Sequence, residues 1–245
     1  MAESPVLLVR RDGILHVTLN RPHAANALSP ALVESLLEAL VTTRNIRLCV
    51  IRGQGKHFCA GFDLSDLDDL SDGDLLWRFL RIEMLLQTIY HAPYPTLALA
   101  HGQVVGAGAD MFAACWQRIA APHAKFRMPG WNFELALGTR RLAHLIGEDA
   151  ARDLLIDTRV ITAEEAVPIK LVSEIVPQDS WSQKVIVLNK RASALPYRAL
   201  HDLFRTTERD TRDADLASVV KTAGVPGLKQ RILAYRDRVK ATKSP

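Results

Sequence analysis

A chain of 245 residues, 48% hydrophobic and 24% charged, is long enough to bury a sizeable core and has the balance of an ordinary globular protein, which excludes a disordered or fibrous chain. Its formal net charge is +4, and its three cysteines, Cys49, Cys59 and Cys115, show no C-x-x-C spacing, which excludes a disulfide framework and a zinc site and leaves buried thiols as the expectation. The longest apolar run, 97–114, is interrupted by His101, Gln103 and Asp110, and the first residues lack the basic and apolar segments of a secretory signal, so a cytoplasmic protein with no membrane partner is expected.

Residues 6–9 and 14–19 are β-rich runs on either side of Asp12-Gly13, a hairpin signal. Ser29 and Pro30 then open a helix to about residue 42, with Leu32, Leu36, Leu37 and Leu40 on one face. Residues 48–52 read as a buried strand that leaves through Gly53-Gln54-Gly55-Lys56. That turn is no dinucleotide fingerprint, because Phe58 stands where a third glycine is needed, and no P-loop, because His57 follows Lys56. Lys56 itself is equally a solvated turn lysine or a phosphate contact. A second small-residue turn over 58–64 leads to an exposed acidic stretch, 66–74, and an amphipathic helix, 75–90.

The stretch 96–115 reads as a buried strand (96–100), a glycine turn through Gly102, Gly106 and Gly108, and a helix carrying Asp110 in its first turns. Such a turn aims unpaired N–H groups and the positive end of the helix dipole at its occupant, which makes it a place to hold an oxyanion. A carboxylate in so apolar a helix is solvated, bonded to the turn, or functional. Taken alone, capping is the simpler explanation.

Residues 118–121 and 125–128 supply further strands, and Pro129-Gly130 breaks the chain. Helices follow over 139–146 and 149–156, and the capping box Thr162-x-x-Glu165 starts another short one. A last strand is expected over 171–176, then four helices over 181–191, 197–206, 214–223 and 228–240. The alternation predicts an α/β fold with parallel strands: a core over 1–180 and a C-terminal helical subdomain over 181–245. That tail carries 14 Lys and Arg against 6 Asp and Glu, the rest 17 against 21. A solvated helical face accounts for it better than a phosphate-binding surface, and the interleaved acids and missing recognition motifs argue against nucleic acid.

With these residues in view the chain resembles the crotonase superfamily, the enoyl-CoA hydratase/isomerase family. The markers are Asn20-Arg21-Pro22 with Asn26-Ala27-Leu28-Ser29, Gly53-x-Gly55-Lys56-x-Phe58-Cys59-Ala60-Gly61-x-Asp63-Leu64, His101-Gly102-x-x-x-Gly106-Ala107-Gly108-Ala109-Asp110, and Thr162-Ala163-Glu164-Glu165-Ala166 before Leu171-Val172. Each is weak alone, and the four in order are specific. The resemblance implies a ββα spiral core with a helical trimerisation region, assembled as a homotrimer or homohexamer. It also implies an acyl-CoA thioester as substrate, so that coenzyme A belongs to the substrate and no separate cofactor is expected. The Phe62 and Ala107 N–H groups fall where the family forms its oxyanion hole, with Gly106 in the same turn. His23, Ala24 and Ala25, together with Ala60, Gly61, Asp63, Leu64 and Ser65, fall on the CoA channel, and C-terminal Lys or Arg side chains would meet the phosphates.

The chain departs from the family pattern where hydratases carry two glutamates. The first is shortened to Asp110, and the second, after Pro129, is Gly130 on the substrate side. Losing a methylene withdraws a general base by about an ångström, enough to cost about 100-fold in rate. Glu134, one helical turn later, is a possible substitute catalytic acid, although a surface position among Phe133 and Leu135 is the plainer reading. Trp131 and Phe133 read as core by default, and His101 as a histidine bonded to the backbone. The expectation is therefore hydration of an enoyl-CoA, with Asp110 as principal acid/base. The alternatives are a decarboxylase or thioester hydrolase on the same fold, and a non-catalytic CoA-thioester binder.

Overall fold

The computed structural model describes residues 4–241. The chain opens with an antiparallel hairpin, β1 (Val6–Arg11) and β2 (Ile14–Leu19), whose turn residues Asp12 and Gly13 both have positive φ, as a tight hairpin requires. Helix α1 (Pro30–Thr42) begins on Ser29, whose hydroxyl accepts from Leu32 N–H. Then come β3 (Leu48–Gly53), α2 (Asp72–Tyr90), β4 (Thr96–Ala100), β5 (Gln103–Val105), α3 (Ala107–Ala114), β6 (Gln117–Ala120) and β7 (Lys125–Arg127). The remainder comprises α4 (Thr139–Ile146), α5 (Glu148–Asp157), β8 (Ile161–Thr162), α6 (Ala163–Ala166), β9 (Glu174–Ile175), α7 (Trp181–Ala192), α8 (Tyr197–Thr207), α9 (Arg212–Ala223) and α10 (Leu228–Ala241).

Six strands form the main sheet in the order β1-β2-β3-β4-β6-β9, parallel from β2 onward. Both faces are covered. Cys49, Ile51, Ala98 and Ala100 join the large core beneath α1, α2 and α3, while Leu48, Val50, Leu97 and Leu99 meet Trp181 and Val185 of α7 on the other face. That is why β3 and β4 read as continuous apolar runs. A second sheet, β5-β7-β8, stands apart. Helices α9 and α10 pack on α2, and Val219, Ala223, Leu228 and Ile232 enter the large core.

Three elements differ from expectation. Between the glycines of the 96–115 stretch the backbone forms β5, because Gln103 to Val105 find β7 as a partner. Helix α2 starts at Asp72, with Ser71 and Asp74 closing a capping box. The strand expected over 171–176 shrinks to Glu174–Ile175, since Leu171 O is taken by the Arg118 guanidinium at 3.0 Å. All three cysteines are buried free thiols, and no helix is long and apolar enough to cross a membrane among the described residues.

Candidate active site

Strand β3 delivers the chain to the turn ending in Gly61 and Phe62, and β5 delivers it to Gly106, which caps α3 and donates its N–H to Arg127 O at 2.8 Å. The two turns nearly touch. A Cβ on Gly61, where φ is +86°, would lie 2.5 Å from Val105 O and 3.2 Å from Ala107 N, so only glycine permits the approach. Neither the Phe62 nor the Ala107 N–H is donated to a described backbone group. Both residues line one cavity of about 460 Å³.

The Phe62 turn is held rigidly from behind. Its ring stacks on Phe79 at 4.5 Å and lies under the Arg78 guanidinium at 4.3 Å. Arg78 donates to Asp63 O at 2.9 Å and pairs with Asp66 at 2.7 Å. The Asp63 carboxylate pairs with Arg21 at 2.7 Å and accepts from Ser65 N–H at 3.0 Å. Burial alone would raise the Asp63 pKa, but the bonds from Ser65 and Arg21 outweigh it and hold the carboxyl below its usual range. Asn26 ties the neighbouring loop down by donating to Gln54 O at 2.9 Å and His57 O at 2.8 Å.

Asp110 stands on the same cavity wall from the first turn of α3. It is half-buried, and no hydrogen bond from the described residues supports its carboxyl. Desolvation pushes its pKa well above the usual range, Arg141 opposing and Glu83 reinforcing that shift. Behind it lies Gly138, with φ +65°, where a Cβ would sit 2.3 Å from Asp110 Oδ1. The capping explanation for Asp110 therefore fails, and the carboxyl is neither paired nor capped.

The cavity wall also carries Ala60, Leu64, Gly106 and Gly130. His23, Ala24, Ala25, Gly61, Asp63 and Ser65 are not on it among the described residues. Ala25 instead accepts from Ala60 N–H at 3.0 Å. Glu134 is not brought to Asp110. The chain after Pro129 makes a 3-10 turn, Gly130–Phe133, which Glu134 ends in the left-handed region, so its carboxylate is 70% exposed and lies 3.5 Å from Arg231. Trp131 and Phe133 line the cavity; Phe133 also packs against the core, as expected, whereas Trp131 is exposed, contrary to the core reading. His101 donates from Nε2 to Gly55 O at 2.8 Å and lies off the wall, as a backbone-bonded histidine.

Sequence reasoning missed several members. Gly138 carried no signal beyond its place before a helix. Gln103, Lys125 and Arg127 share one wall because β5 and β7 run in register. Ile232, Tyr235 and Val239 of α10 close another side. Helix α10 is docked by the acidic stretch: Asp72 accepts from Gly227 N–H at 2.7 Å and Lys229 N–H at 2.8 Å, and Asp68 pairs with Arg236 at 3.3 Å. No cluster of metal-ligating side chains occurs among the described residues.

The sequence pattern of the enoyl-CoA hydratase/isomerase family matches residues 10–225. A 2,3-dehydroadipyl-CoA hydratase of Escherichia coli is 31% identical over 224 residues, covering 87% of each chain. A Bordetella parapertussis protein described as an enoyl-CoA hydratase/isomerase is 42% identical, with TM-score 0.93 over 95% of this chain and 98% of its own. An enoyl-CoA hydratase of Mycobacterium smegmatis is 28% identical, with TM-score 0.78 over 96% of this chain and 97% of its own. The chain belongs to the enoyl-CoA hydratase/isomerase family of the crotonase superfamily, and its fold is the crotonase fold.

Proposed function

We propose that this enoyl-CoA hydratase/isomerase family member binds an acyl-CoA thioester in the 460 Å³ cavity and passes through an enolate held by the Phe62 and Ala107 N–H groups, with Asp110 as proton carrier. The observation that carries the reading is that two undonated N–H groups and one unpaired carboxyl share that wall. Backbone donors fixed in advance suit charge that develops on a thioester oxygen, and they ask little of the side chain, so alanine at 107 is compatible. Lys125 and Arg127 are the wall cations available to the CoA phosphates.

The net reaction we assign is hydration of an enoyl-CoA. The water oxygen bonds to Cβ and its proton passes to one Asp110 oxygen, while the proton on the other oxygen is delivered to Cα. The carboxyl ends as it began, still protonated. A raised pKa suits that role, since the donated proton must be present at working pH. Gly130 favours a second reading, a double-bond shift in which Asp110 moves one proton between carbons and no water is added.

Solvent deuterium incorporation at the α-carbon of a panel of acyl- and enoyl-CoA thioesters, followed by mass spectrometry, tests the proposal. Incorporation is expected in the wild type and lower by about 10² to 10⁴ in Asp110→Asn, with thioester binding retained. Equal incorporation in that variant, or none from thioesters that bind, overturns it. Addition of water to the product separates the two net reactions.

A further inference from the structure

Behind Asp110 lies a buried charge cluster that the proposed chemistry does not use. Arg141, on α4 and 2% exposed, donates to both Glu83 oxygens at 2.8 and 2.6 Å from α2 and to Asp215 Oδ2 at 2.8 Å from α9. Asp215 is further held by Thr211 at 2.7 Å and Arg140 at 3.0 Å. The Arg141 Nε is buried without a partner. Gly138, which packs against the Asp110 carboxyl, opens the helix that carries Arg141.

We propose that Glu83 and Asp215 are positioning residues for Asp110: by holding the Arg141 guanidinium in two ion pairs, they keep it from pairing with Asp110 and leave that carboxyl free to carry a proton. The inference rests on the reading of Asp110 as proton carrier. An unmatched guanidinium beside a carboxyl would fix it as a carboxylate, its pKa lowered by about 1 to 3. Glu83 and Asp215 take up the Arg141 fork from two sides, and with Arg140 on the far side of Asp215 the four charges balance within the cluster. Other elements around Asp110 bring little: β5 faces it with uncharged residues, and the remaining ionisable groups of the cavity are Lys125 and Arg127 on β7 and Tyr235 on α10. Of the buried cluster, Arg141 lowers and Glu83 raises the Asp110 pKa, on top of the larger push from desolvation.

The test needs no turnover. The infrared carbonyl band of a protonated carboxyl, assigned to Asp110 by its loss in Asp110→Asn, is titrated in the intact protein. The wild type is expected to keep the band well above the pH at which an ordinary carboxyl ionises, about 4. In Glu83→Gln the midpoint should fall by about one pH unit or more, and in Asp215→Asn it should fall by less. The double variant Glu83→Gln with Arg141→Gln removes the cation as well and should return the midpoint toward the wild-type value. Mere loosening of the fold would instead move the double variant at least as far as the single one. Unmoved midpoints in the folded single variants overturn the proposal, as does a wild-type band that titrates no higher than an ordinary carboxyl, at about 4. If Glu83→Gln fails to fold, Asp215→Asn, which leaves the Arg141 and Glu83 fork intact, decides. Failure of the proton-carrier reading is separate, and shows as undiminished deuterium incorporation in Asp110→Asn.

Discussion

Asp63 and Asp110 are both acids of glycine-turn motifs beside one cavity, and they have opposite fates. Asp63 receives a guanidinium and a backbone N–H, so its charge is stabilised and its work is to hold the Phe62 turn. Asp110 receives neither, and the apolar surroundings push its pKa up. The difference shows that burial does not decide what a carboxyl does; the partners supplied with burial decide it. A paired acid becomes part of the scaffold, and an unpaired one stays reactive.

The sharpest way to break this contrast is to move the unpaired acid. Gly138→Ala places a methyl 2.3 Å from Asp110 Oδ1; a displacement of about 1 Å predicts roughly a 100-fold loss in α-proton exchange, read by the same deuterium measurement. Removing the paired acid should act on stability first. Asp63→Ala leaves the Arg21 charge, still bonded to Ala27 O, without its counter-ion and the Ser65 N–H unmatched, and is expected to cost about 1 to 3 kcal/mol in urea unfolding. Because the Asp63 pKa is lowered by folding, its contribution is present above about pH 4 and is lost as pH falls through the folded value. Asp110 has the reverse sign. Its raised pKa favours the folded state at low pH, and that advantage disappears as pH rises through the folded value. Asp110→Asn should therefore raise Tm, by an amount that grows as pH rises above the ordinary carboxylate range of about 4.

The motifs of the paired half were legible in the chain, although Asp63 was expected on the CoA channel and instead pairs with Arg21. Asn20-Arg21-Pro22, Asn26 and the turn ending in Asp63 are compact motifs, and the structure draws them together through Arg21 and Asn26. The hairpin and the Ser29-Pro30 start of α1 follow local rules. What was not legible depends on partners far apart in sequence. Glu83 and Asp215 meet Arg141 across separations of 58 and 74 residues, and no local spacing announces them. Strand β5 exists because β7 pairs with it. For Glu134 the plainer surface reading agrees with its exposure, and the substitute-acid alternative fails because it projected an α-helical spacing onto a 3-10 turn that ends in a left-handed residue.

The docking of α10 carries a consequence for how the site is entered. Leu228 and Ile232 root the first turns of that helix in the core, but farther along, where Tyr235 and Val239 border the cavity, Arg236 reaches an Asp68 that is 73% exposed. Attraction between charges so near water is screened over about 8 Å at physiological ionic strength, whereas the ion pairs behind Asp110 are shielded from it. Salt thus reaches the rim and not the hearth: added electrolyte is expected to weaken the Arg236–Asp68 pair, while the ring contact of Tyr235 with Phe133 and the buried pairs behind Asp110 keep their surroundings.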